Sequence, residues 1–167
     1  NLKEVQKLTV TVLDNIYEIN ETTLLKSISL YGANAAGKTN LIKALTTAIL
    51  MVRQSNAIQI TQKWNFIEPF FDEESKDKPS EFEFIFYVEN TKYIYGFSAT
   101  KERIVEEYLY EYKTIRPKKI FERENDHFEF TQDMKPLEKI VERNTSNKLF
   151  LSTASVWNFE VVIPVYK

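Results

Sequence analysis

The sequence predicts an α/β fold in which a strand–loop–helix unit leads into an antiparallel β-meander. Three observations predict it. The run Leu24 to Tyr31 feeds straight into Gly32, the first of two glycines five positions apart. From Lys38 onward the apolar residues Leu41, Ile42, Leu45, Ala48, Ile49 and Val52 recur at helical spacing. From Glu81 onward Phe and Tyr alternate with charged residues over several short runs, the period of half-buried strands.

In chain order, Leu8, Val10 and Val12 alternate with threonines and read as a first strand, followed by a polar turn around Asn20 to Thr22. The strand Leu24 to Tyr31, the glycine loop and the helix complete a core over residues 1–53. Residues 54–80 form an irregular connecting segment. It holds an aromatic cluster of Trp64, Phe66, Ile67, Phe70 and Phe71, then a polar stretch from Asp72 to Ser80. Residues 81–132 are an antiparallel β-subdomain. Its strands carry Phe82, Phe84, Phe86 and Val88, then Tyr93, Tyr95 and Phe97, then Tyr108, Tyr110 and Tyr112 on one face. Ile120-Phe121 and Phe128 to Phe130 supply two more strands, and short connections favour a meander. Over residues 133–167 a helix is expected from Met134 to Arg143, with Pro136 near its first turn. Strand-like runs at Leu149 to Leu151 and Phe159 to Val165 then return toward the core. The chain reads as one domain and as a fragment of a longer protein.

Composition narrows the function. With 167 residues and 43% apolar content the chain can bury a core without crosslinks. The formal net charge of −2 supplies no global basic field for nucleic acid. There is no cysteine, which excludes disulfides and thiolate metal sites and fits a reducing, cytoplasmic compartment. The single histidine, His127, excludes a multi-histidine centre. The longest mainly apolar stretch, Ala44 to Val52, is too short to span a bilayer, so no membrane association is expected.

Only three glycines occur, and two of them lie in Gly32-Ala33-Asn34-Ala35-Ala36-Gly37-Lys38-Thr39. This is the G-x-x-x-x-G-K-[ST] phosphate-binding pattern. Gly32 and Gly37 are expected to take backbone angles closed to other residues. Successive amides then point inward at phosphate oxygens, and the following helix adds its N-terminal amides and dipole. Lys38 brings a compact positive charge to the β- and γ-phosphates, and Thr39 offers its hydroxyl to magnesium. Asn40 follows directly. The expected ligands are ATP and magnesium. The ordinary alternative is a glycine turn capping a helix with an exposed lysine.

The stretch Tyr31-Gly-Ala-Asn-Ala-Ala-Gly-Lys-Thr-Asn-Leu-Ile-Lys-Ala-Leu45 resembles the P-loops of ABC-type ATPases of the SMC/RecF branch. It is more closely similar to a bacterial group of AAA-type ATPases related to abortive-infection proteins and overcoming-lysogenization-defect nucleases. Their loops read like G-A-N-A-S-G-K-S-N-L; Ala36 and Thr39 are mild departures. Similar blocks recur at Phe70 to Ser75, Pro79 to Phe86, Tyr93 to Phe97, Ile104 to Tyr110, Ile120 to Arg123 and Leu149 to Ser152. The resemblance implies a P-loop NTPase core, ABC-ATPase-like, flanked by the β-meander. It also implies ATP hydrolysis in the complete protein, a homodimer through the ATPase heads, and a role in phage defence or DNA transactions with DNA or an associated nuclease or effector as partner. The aromatic that stacks on the base often precedes such loops, and Tyr17 is the candidate.

Other expected parts are missing. No hydrophobic strand ending in an acid, the Walker B element, is recognisable, and no L-S-G-G-Q-like signature is present. Glu89 ends a strand-like run, but Glu89-Asn90 reads better as a hairpin tip. In the resembled family a glutamine follows Leu-Phe-Leu-Ser; here Val156 occupies that place, followed by Trp157 and Asn158. Asn158 could substitute, and its ordinary reading is a buried loop residue. Glu106 and Glu107 are neighbours on a strand and face opposite ways, so they cannot act as paired carboxylates. Arg116, Lys118 and Lys119 read as a solvated basic turn, the tyrosines at 108, 110 and 112 as sheet packing, and His127 as exposed. Two alternatives stay open: a P-loop kinase of small molecules, and a non-catalytic interaction module whose loop no longer works.

Overall fold

The computed structural model describes residues 16–19, 22–25, 29–34, 36–67 and 78–167. The candidate strand around Leu8 to Val12, loop residue Ala35, and Phe70 and Phe71 lie outside the described residues. The chain divides into two compact units, Asn1–Leu45 and Thr46–Lys167.

In the first unit, β1 (Ile16–Ile19) and β2 (Thr22–Leu25) pair antiparallel, with Ile16 opposite Leu25 and Ile19 opposite Thr22. Of the expected strand Leu24 to Tyr31, Leu24 and Leu25 belong to β2, residues 26–28 lie outside the described residues, and residues 29–33 have no regular structure. An extended segment needs a neighbouring ladder to satisfy its amides. Leu30 and Tyr31 instead stand 41% and 91% exposed. Helix α1 (Lys38–Gln54) starts where the periodicity places it.

The second unit is built on a five-stranded sheet in the order β3-β4-β5-β6-β7. Its strands are β3 (Ser80–Val88), β4 (Thr91–Ala99), β5 (Ile104–Tyr112), β6 (Lys118–Glu124) and β7 (His127–Glu129). All pairs are antiparallel, so the expected meander is present. Glu89-Asn90 is the β3–β4 turn, with Glu89 at φ 53°. The alternation sorts the two faces. One inner row runs Phe82–Phe97–Glu107–Arg123–Phe128 across all five strands, and the next runs Phe84–Tyr95–Leu109–Phe121. A register shift between Leu109 and Tyr110 leaves Ile120 without a direct partner, so Ile120 and Phe121 are both fully buried.

The helix expected over Met134 to Arg143 is present as a 3₁₀ helix, Gln132–Arg143, with Met134 N–H donating to the Thr131 carbonyl (2.9 Å). Two strand-like runs and one residue after it differ from expectation. Leu149 to Leu151 is not a strand: α2 spans Phe150–Val156. A short apolar run cannot be told from a buried helix by periodicity alone, and here Phe150 to Ser155 are all buried. Phe159 to Val165 is likewise not a strand. It holds turns and one helical turn, α3 (Ile163–Tyr166), because Pro164 cannot donate to a ladder and suits a first helical turn. Asn158 is exposed, not buried, and takes φ 57°. Its N–H donates to Ser155 O (3.0 Å) and that of Phe159 to Ala154 O (3.2 Å), the two bonds of a Schellman C-cap.

Phe150 packs on Phe121, Phe128 and Phe130 with ring centroids 5.1, 4.8 and 5.7 Å away. The segment after α1 is tied to the same place. Ser55 Oγ accepts from Leu149 N–H (2.6 Å), Asn56 donates to Ser152 O (2.6 Å), and Trp64 Nε1 donates to Asn147 O (2.9 Å).

Glu107 joins the sheet to α2. Its carboxylate is fully buried and accepts from Phe150 N–H (2.6 Å), Leu151 N–H (2.9 Å) and the Tyr95 hydroxyl (3.0 Å). Arg123 lies 3.7 Å away and donates to the carbonyls of Asn125, Lys148 and Ser146. Replacing Glu107 with Ala strands a buried guanidinium and two helix amides. Urea unfolding should show a loss of about 3–5 kcal/mol.

Four tyrosine hydroxyls are held protonated by the fold. Burial first, then Glu111, pushes Tyr93 up to about 12. Burial and the bond to Glu122 push Tyr110 up to about 12. Tyr95 and Tyr108 shift the same way through burial and their partners Glu107 and Glu83. An unfolded tyrosine ionises near pH 10. The unfolded chain therefore loses these protons first; the stabilisation is complete below pH 10, and the contributions of Tyr93 and Tyr110 are lost between about pH 10 and 12. The melting temperature should fall across that window, and Tyr93→Phe should flatten the fall.

Candidate functional site

The loop before α1 is the one place where the sequence motif and the described geometry meet. Gly37 has φ +83°, in the left-handed region, and supplies the turn into the helix. Gly32 does not need that freedom. A Cβ placed on it would meet Ala36 Cβ at 3.5 Å and Lys38 Cδ at 3.9 Å, ordinary contacts, so the expectation that both glycines take special angles is corrected to Gly37 alone. Ala36 N–H donates to Ala33 O (3.3 Å), and Leu41 N–H donates to Gly37 O (3.1 Å), the first helical bond.

Lys38 reaches back along the loop. Its Nζ donates to Gly32 O (2.7 Å) and Ala33 O (2.6 Å), so the ammonium is held over the loop instead of extending into solvent. The amides of Lys38, Thr39 and Asn40 precede the first helical bond and have no acceptor within the helix. No acid lies in the first turn of α1, although helix N-termini favour acids there, so no side-chain carboxylate on that turn competes for its positive end. Thr39 and Asn40 are exposed beside it, as is Asn34. Ala35 lies outside the described residues, and the side chain of Tyr17 is not described. The donor set fits a polyphosphate: one lysine ammonium, one hydroxyl and consecutive amides at a helix start.

The remaining sequence candidates do not gather into a site. Glu107 has the environment of a catalytic acid: burial raises its carboxyl above the ordinary range, and Arg123, the amides of Leu151 and Phe150 and the Tyr95 hydroxyl pull it back. Every one of those partners is structural, which makes Glu107 a clasp. Sequence reasoning missed this because the residue sits in an aromatic alternation. The signal available was its parity with Leu109 on the buried face. Glu106 faces the other way, as expected. Lys118 and Lys119 are β6 residues paired with Asp133, Glu122 and Glu129 rather than members of a free basic turn. Arg116 is exposed. Trp157 is 47% exposed and carries Arg143 over its ring at 4.1 Å. His127 is exposed. Among the described residues no cluster of three or more His, Asp or Glu could hold a metal, and no helix is long and apolar enough to cross a membrane.

The two glycines should behave differently. Gly37→Ala costs about 1–2 kcal/mol for a left-handed alanine, roughly a 5- to 30-fold change in local opening. Amide exchange at Leu41 should accelerate to that extent in Gly37→Ala and stay within two-fold of wild type in Gly32→Ala.

Residues 27–154 match the family described as "AAA domain, putative AbiEii toxin, Type IV TA system". No curated protein and no solved structure matches the chain. The matched span covers the glycine loop, α1, the whole sheet and most of α2. The chain therefore belongs to this AAA-domain family, with the P-loop NTPase fold and ATPase-like nucleotide-binding character the family implies.

Proposed function

We propose that the chain binds ATP with magnesium through Gly32, Ala33, Asn34, Ala35, Ala36, Gly37, Lys38, Thr39 and Asn40. The observation that carries this is the Lys38 ammonium, held 2.7 and 2.6 Å from the first two loop carbonyls at the start of a seventeen-residue helix. Lys38 is preorganised to meet a polyphosphate, and the α1 amides add donors that no side-chain acid on the first turn occupies. The Thr39 hydroxyl is the magnesium ligand. ATP supplies the triphosphate charge that these groups neutralise.

The wider role rests on the family description, which names a toxin of a type IV toxin–antitoxin system, and on the SMC/RecF-like loop sequence. In this reading the chain is the nucleotide-binding part of an ABC-type ATPase of phage defence. Its heads dimerise around ATP, its working partner is DNA or an effector nuclease, and hydrolysis uses an acid and a signature loop not recognisable in this sequence.

Calorimetric titration with magnesium–ATP tests the binding step. Lys38→Ala should weaken affinity at least ten-fold, since a bond to a charged group contributes about 1.5–3 kcal/mol. Thr39→Ala should weaken ATP more in magnesium than in EDTA. Equal affinity in wild type and Lys38→Ala would sink the proposal.

A further inference from the structure

We infer that the end of α1 and the start of α2 form a coupling joint, through which nucleotide held at the start of α1 stabilises α2. The inference rests on the proposed binding of magnesium–ATP and names a regulation of that same site.

The joint consists of three polar side chains that the phosphate loop does not use. The Ser152 hydroxyl donates to the Val52 carbonyl (2.7 Å), and Asn56 Nδ2 donates to the Ser152 carbonyl (2.6 Å). Ser55 Oγ accepts from Leu149 N–H (2.6 Å). Ser55 and Ser152 are both fully buried. The three bonds join positions 94, 96 and 100 residues apart in sequence.

Two helix ends complete one another here. Val52 lies in the last turn of α1, where carbonyls have no amide four residues on within the helix. Leu149 precedes the first turn of α2 and supplies no side-chain cap. Its amide goes to Ser55, and the next two, of Phe150 and Leu151, go to Glu107. A helix C-terminus and a helix N-terminus carry opposite partial charges, so their meeting is also electrostatically favourable.

α2 is an element that such a joint can switch. It has seven residues, fewer than the roughly 12–15 that an isolated helix needs in water. Its helical state therefore depends on outside partners, Glu107 and the end of α1. Glu107 is itself held by Tyr95 and Arg123. The end of α1 is the partner that belongs to the nucleotide-binding helix. α1 runs unbroken from Lys38 to Gln54, about 25 Å at 1.5 Å per residue. A triphosphate that orders its first turn restrains the same helix whose last turn receives Ser152. Hydrogen bonds weaken steeply with angle. The joint therefore responds to small changes at that last turn, where an apolar contact would slide. Nucleotide that restrains α1 favours the formed joint and the helical α2, and α2 favours nucleotide to the same extent. The change reaches Trp157 at the end of α2, which carries Arg143 over its ring at 4.1 Å.

The test joins calorimetry to amide exchange on the 167-residue chain, with and without magnesium–ATP. In wild type, saturating magnesium–ATP should slow exchange of the Phe150 and Leu151 amides by about five-fold or more. Ser152→Ala removes the bond to Val52 and leaves Glu107 in place. In that variant the slowing should disappear, and affinity for magnesium–ATP should weaken by up to the same factor. Asn56→Ala, at a half-buried position, should reduce the slowing likewise and serves if Ser152→Ala does not fold. Thr153→Val removes a bond of the same helix to Asn144 (2.6 Å) and touches nothing on α1. It loosens α2 but should keep the full response to nucleotide. Calorimetric binding without slower exchange in wild type overturns the inference and leaves the nucleotide reading standing. No calorimetric binding by wild type overturns both. A full response in Ser152→Ala and Asn56→Ala, or an equal loss in Thr153→Val, reduces the joint to packing and overturns the inference alone.

Discussion

The carboxylate of Glu107 organises the second unit. It sits on the middle strand of five, fully buried, and accepts two backbone amides from the start of α2 and a tyrosine hydroxyl from β4. A buried carboxylate is tolerated only when its lone pairs are filled and a counter-charge is near. Both conditions are met by groups from different parts of the chain: Tyr95 from β4, Arg123 from β6, and Phe150 and Leu151 from the turn into α2. Arg123 in turn donates to the carbonyls of Ser146 and Lys148 where the chain leaves the 3₁₀ helix, sharing them with the Ile104 N–H and the Asn144 side-chain amide. The pair therefore specifies where residues 144–151 cross the sheet, and with them the position of Phe150 among Phe121, Phe128 and Phe130.

That arrangement makes the two faces of the sheet unlike. The inner face is a packed aromatic layer interrupted by the Tyr95–Glu107–Arg123 and Tyr93–Glu111 contacts. The outer face is polar, with tyrosine hydroxyls turned to carboxylates at Glu83 and Glu122. Tyr108, Tyr110 and Tyr112 lie on this outer, half-exposed side and not in the core. They are anchored by acids, and those acids give the face its negative character.

The nucleotide loop follows a different logic. It depends on local backbone chemistry: a left-handed glycine, a lysine turned back on its own loop, and a helix start without a carboxylate. Such a loop needs few long-range contacts to be recognisable, which is why it stands out in the sequence. The hydrolytic parts of a P-loop enzyme come from distant strands and partner chains, and no local pattern in these 167 residues announces them.

Local regularities made much of the molecule legible. The 3.6-residue spacing after Lys38 placed α1, two-residue alternation placed β3 to β5, the apolar pair Ile120-Phe121 marked β6, and glycine and lysine at fixed offsets marked the loop. Tertiary structure decided the rest. The chain turns helical at Phe150, directly after Leu149, where Glu107, over forty residues earlier, accepts the Phe150 and Leu151 amides, and a run of four buried residues has no period of its own to reveal that. Asn158 reads as a substitute for the missing glutamine or as a buried loop residue until the Schellman bonds show it ending α2. Glu106 and Glu107 are identical in composition and adjacent in sequence, yet one faces water and the other forms the central clasp. Alternation shows that they must face opposite ways; only the packing of α2 and Arg123 decides which of them is buried, because only on that side are there donors enough to hold a carboxylate away from water.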